Sequence, residues 1–66
     1  MYTQTTVQAR NLRKGDAIVG SGETVVRRRT LRGLAVVDVF SPAVKSSYTH
    51  FLQLTEDVRV AREVRP

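Results

Sequence analysis

The 66-residue chain has no cysteine and no tryptophan, and it has only two prolines, one histidine, two tyrosines and two phenylalanines. Without cysteine there is no disulfide, no thiolate metal site and no thiol nucleophile. His50 by itself cannot form a histidine-cluster metal centre, so no metal and no cofactor is expected. His50 with Asp38, Ser47 or Thr49 lacks the nucleophile elbow and oxyanion turn of a hydrolase. Gly20-Ser21-Gly22 is too short for a phosphate-cradling loop and precedes a strand pattern, not a helix. A domain of this size also has little room for a deep pocket, so no enzyme is expected. No apolar stretch approaches the roughly 20 residues of a membrane span. The polar start Met1–Thr6 does not read as a signal peptide, so the expectation is a cytoplasmic protein.

What is present is charge of one sign. Eleven Lys and Arg stand against six Asp and Glu, for a net charge of +5 and a pI near 10.8. In a small domain this balance points to polyanionic partners, nucleic acid first, or to a solubility device. Nine of the eleven basic residues are Arg. Arg suits bidentate phosphate contacts, but Arg, Ala and Val all have GC-rich codons, and a GC-rich bacterial or bacteriophage genome explains the ratio equally well. A chain this short buries only about 60% of the surface its unfolded form exposes. Self-association would add burial, so a homodimer is an open alternative.

The pattern is that of a single all-β domain over residues 1–66, a small five- to six-stranded barrel with tight turns. Strands are expected at Thr5–Arg10, Asp16–Val19, Thr24–Thr30, Leu34–Phe40, Tyr48–Leu54 and Val58–Val64. Gly15 supplies a positive φ at the first turn. Gly20–Glu23 and Arg32-Gly33 mark hairpins. Leu34–Phe40, the most apolar run, is expected to be central and partly buried on both faces. Ser41-Pro42 ends it. Thr55–Val64 carries a rival helical reading, with Thr55 as N-cap and Val58, Ala61 and Val64 on one face, but its β-branched content favours strand. Closure into a barrel would remove exposed sheet edges.

The run Ala9-Arg10-Asn11-Leu12-Arg13-Lys14-Gly15-Asp16-Ala17-Ile18, a glycine turn, and then Val25-Val26 resembles the opening of small SH3-like barrels of the translation (KOW) type, such as the N-terminal domain of elongation factor P. Asp57–Ala61 resembles their last strand. The resemblance implies a five-stranded barrel and nucleic-acid- or ribosome-linked binding. The loop that carries the modified lysine in that factor corresponds to Thr30–Gly33 here. It has no lysine and holds Arg32 instead, so the factor's activity is not implied.

Three basic groups are candidate phosphate contacts: Arg27, Arg28, Arg29 and Arg32; Arg10, Arg13 and Lys14; and Arg59, Arg62 and Arg65. On a strand, Arg27 and Arg29 point one way and Arg28 the other. If the strand ends near Arg28, the tip through Arg32 becomes a flexible basic loop. The competing reading is an edge strand protected by charge. The C-terminal group reads as a solvated face paired with Glu56, Asp57 or Glu63. Tyr48 and Phe51, on opposite faces, are candidates for base stacking, but the four aromatics are also needed for a core without tryptophan. Tyr48, beside Ser46-Ser47, is the one expected to be exposed. The alternative function is a protein-interaction module, which an exposed apolar patch at Leu31, Leu34 or Phe40 would favour.

Overall fold

A computed structural model describes residues 2–63. Six strands run in chain order: β1 Tyr2–Gln8, β2 Ala17–Ile18, β3 Thr24–Leu31, β4 Leu34–Ser41, β5 Ser46–Gln53 and β6 Asp57–Glu63. The only helical element among the described residues is a 3-10 turn at Ala9–Asn11, directly after β1. All pairings are antiparallel, in one barrel-like sheet of order β1-β6-β2-β3-β4-β5. The all-β class and both hairpins are therefore as the sequence indicates. The sheet stays open, with β1 and β5 as its edges, so closure does not remove the edges as expected.

Three strands differ most from expectation, and the others shift by a residue at an end. The first strand begins at Tyr2 and stops at Gln8, because Ala9 and Arg10 turn out of it. Ala9 N–H still reaches Glu56 O at 2.8 Å, and Arg10 N–H reaches Leu54 O at 3.1 Å. The second strand is only Ala17–Ile18, and the fifth starts two residues early, at Ser46. Asp57–Glu63 is strand, not helix, because Val58, Val60 and their alternation fit the ladder with β1. Val64 and Arg65 lie outside the described residues.

The interior is built from valine. Val25, Val37, Val39 and Val60 are fully buried, joined by Ala9, Leu12 and Ala35, with Val7, Ile18, Leu52, Leu54 and Val58 around them. Each full valine burial contributes roughly 1.5–3 kcal/mol. Tyr48 is exposed as expected, but Tyr2, Phe40 and Phe51, expected to help fill the core, are exposed as well. Tyr48 and Phe51 escape burial because β5 is a sheet edge, where neither face is fully covered. β4 is buried on both faces in part, as its composition suggests, since outward-facing Val36 is only 3% exposed. Arg29 and Phe51 flank it across the sheet.

A β-bulge between Val25 and Arg27 sets which arginines face inward. Simple alternation from buried Val25 would turn Arg27 and Arg29 inward. The bulge absorbs Val26 and reverses the phase. Arg28 then pairs with inward Val37, while Arg27 and Arg29 pair with Asp38 and Val36 on the outer face.

Candidate nucleic-acid interface

The loop from Asn11 to Asp16 crosses one end of the barrel-like sheet, and among the described residues its backbone is bonded at every position but Lys14. Gly15, at φ 95°, donates its N–H to Val25 O at 2.8 Å. Val25 N–H returns a 2.8 Å bond to Asp16 O. The Asp16 carboxylate, on a residue 4% exposed, accepts from Arg13 N–H at 2.9 Å. It also takes a two-pronged bond from Arg62, Nε to Oδ1 at 2.9 Å and Nη2 to Oδ2 at 3.0 Å. Arg62 Nη2 further donates to Asn11 O at 2.9 Å. From the opposite strand, Arg28 Nε donates to Leu12 O at 3.1 Å. Two arginines thus clamp successive carbonyls of one loop.

The clamped loop displays Arg10, Arg13 and Lys14, all exposed. Arg32 belongs to the same end. It sits in the two-residue turn between Leu31 and Leu34, Leu34 pairs with Gln53, and the next residue, Leu54, receives the Arg10 N–H. Arg10, Arg13, Lys14 and Arg32 form no ion pair or side-chain hydrogen bond among the described residues. Glu56 and Asp57 border this end beside Ala9 and Gln8.

The other arginines are engaged elsewhere. Arg27 Nε and Arg29 Nη2 approach Asp38 at 3.4 and 3.8 Å on the outer face. The Thr49 hydroxyl donates to Asp38 at 2.8 Å. That bond is the largest cause, and with the Arg29 and Arg27 guanidiniums it holds the Asp38 carboxyl below its ordinary 3.8, outweighing partial desolvation, which is second in size and acts the other way. Because the folded value is the lower one, the stabilisation is present at neutral pH and lost as pH falls through that value. Arg59 contacts Gln4 instead of a carboxylate, and Arg62 pairs with Asp16 instead of its sequence neighbours.

The first two basic groups therefore meet only in part. Arg28 reaches the loop that carries Arg10, Arg13 and Lys14, and Arg32 lies by the start of that loop, whereas Arg27 and Arg29 turn to the outer face. One expectation for the arginine run is corrected: β3 continues to Leu31, so no flexible tip begins at Arg28. The pairing of β3 with β2 is confined to Thr24, so Arg27–Leu31 have a strand partner only in β4. Tyr48 pairs with Val39, toward the far end of the β4–β5 hairpin and away from these cations. His50 is half-exposed, its Nε2 3.1 Å from Glu23 Oε1.

A residue absent from the sequence expectation lies beside the cations instead. Tyr2, Arg13, Lys14 and Arg62 line a groove of about 240 Å³, with Asp16 and Glu63 on it as well. A second, more apolar groove lies over Ile18, Leu52 and Val58, with Glu23, Glu56 and Asp57 at its rim. Among the described residues no group of three His, Asp or Glu is placed to hold a metal, and no helix is long and apolar enough to cross a membrane. No protein-family model, curated protein or solved structure matches the chain at a significant level.

Proposed function

We propose that the protein binds nucleic acid through its loop-capped end, by phosphate contacts from Arg10, Arg13, Lys14 and Arg32. The observation that carries this reading is the division of labour among the cations. Arg28 and Arg62 are spent on holding the loop, and the four that remain are exposed on fixed backbone. A loop already held by backbone bonds need not be ordered on binding, which favours affinity. Arg32 adds support. It adopts φ 51° beside Gly33 at φ 78°, a turn that favours Asn-Gly or Asp-Gly. A left-handed arginine costs about 1–2 kcal/mol, a strain that fits a functional cation at the tip. Binding is largely independent of sequence, because phosphates carry none. An Arg- and Val-rich chain of this kind suits an accessory protein of the cytoplasm in a bacterial or phage setting.

The test is fluorescence anisotropy of a labelled random duplex and a labelled single strand, titrated across a salt series. The expected result is micromolar or tighter binding at low salt, with log K falling against log salt at a slope equivalent to three or more phosphates. Absence of binding to both probes at low salt overturns the reading.

One observation favours the alternative, a protein-interaction module. Leu31, Leu34, Val36 and Phe51 share the outer face by register, and Phe51 is 65% exposed. β5 beside them is an edge strand without a charged residue, and so lacks the usual guard against pairing. On this reading the chain self-associates through β5. Sedimentation at rising concentration would show a dimer that Phe51→Lys abolishes, and a monomer throughout would discard it.

A further inference from the structure

We infer that the groove between the start of β1 and the clamped loop accepts one unstacked nucleobase on Tyr2, so that single-stranded nucleic acid is bound in preference to duplex. This rests on the nucleic-acid reading and deepens it. Tyr2 is 68% exposed and shares the groove with Arg13, Lys14 and Arg62. An aromatic ring in water beside cations is the arrangement that grips a base and its phosphate together, and it tolerates any base because every base has a π-face. In a duplex the bases are stacked on one another and cannot reach the ring, while the phosphates remain available. Cations alone bind both forms; cations with Tyr2 distinguish them.

Position supports the assignment. Tyr2 opens β1 and pairs with Glu63 at the end of the β1–β6 ladder, so its ring is held on strand backbone next to the loop. Arg62 is committed to Asp16 and Asn11, which leaves Arg13 and Lys14 for the phosphate. Glu63 lies on the same groove and opposes an incoming phosphate, so the site is weaker than its three cations suggest.

The experiment compares a short mixed-sequence single strand with the duplex of the same length, at one salt concentration. Wild type should bind the single strand more tightly. Tyr2→Ala should lower single-strand affinity by about tenfold and leave duplex affinity unchanged. Tyr2→Phe, which keeps the ring, should retain the preference, and Glu63→Gln should raise affinity for both forms. Tyrosine emission gives an independent readout. In a Tyr48→Phe background Tyr2 is the sole tyrosine of the chain, and its emission should be quenched by the single strand and not by the duplex. Equal binding of both forms, unmoved by Tyr2→Ala, overturns the inference while leaving phosphate binding intact. Failure of both probes to bind overturns the two together.

Discussion

Replacing Asp16 with Ala should lower stability by about 3 kcal/mol, the cost of breaking one side of a buried pair. A chain of 66 residues has roughly 3–10 kcal/mol in total at the usual stability per residue, so much of the population would unfold. The reason is the number of groups that depend on one carboxylate. Asp16 accepts both prongs of Arg62 and the Arg13 N–H. Alanine leaves a half-buried guanidinium without its anion and a loop amide without its acceptor. Asp16→Asn keeps one acceptor and should fall between the two. Asp16→Leu combined with Arg62→Met should recover part of the loss, since apolar replacement of a whole buried pair is often close to neutral. Thermal melts decide the matter. A drop on the order of 15 °C is expected for Asp16→Ala, and a change of only a degree or two would mean that the pair behaves as a surface pair.

The second large effect concerns binding. Arg10→Ala, Arg13→Ala, Lys14→Ala and Arg32→Asn combined should reduce the salt slope by about three and cut low-salt affinity on the order of a hundredfold. The set is chosen so that loss of binding is not loss of fold. None of the four side chains holds another residue among those described, and asparagine suits the left-handed turn position better than arginine. The quadruple variant should therefore melt at or slightly above the wild-type temperature. The matched control is Arg27→Ala with Arg29→Ala, which removes two positive charges from the outer face. It should leave most of the slope in place. If the control flattens the slope as much as the quadruple change, binding follows net charge and the capped end has no special role.

Turns and strands are legible in the chain because they depend on neighbours. Gly15 and Gly33 take the positive φ that their contexts require, and the alternation of Arg27, Arg28 and Arg29 follows from strand geometry. The direction of that alternation depends on a bulge at Val26, and two adjacent valines give no sign of it. The Asp16–Arg62 pair spans 46 positions, beyond any local pattern, so Arg62 reads from the sequence as part of a solvated face. The exposure of Tyr2 and Phe51 is not legible for a topological reason: a residue's type does not tell whether its strand ends up at a sheet edge. Tyr2 does not stand out in the sequence because Met1–Thr6 reads as a polar tail, although β-branched threonines at 3, 5 and 6 are a usable strand signal.

The ladder between Tyr2–Gln8 and Asp57–Glu63 also bears on how the molecule is made. During synthesis the first strand has no partner until the sixth has left the ribosome. The β3–β4–β5 meander, whose pairings are local, can form earlier, whereas enclosure of Val60 and docking of Arg62 onto Asp16 must wait until β6 has left the ribosome. Pairing across so long a loop is slow. Until it happens, the valine interior stands open on one side, and a chain stalled before Glu63 would present that surface to the cell's chaperones and proteases.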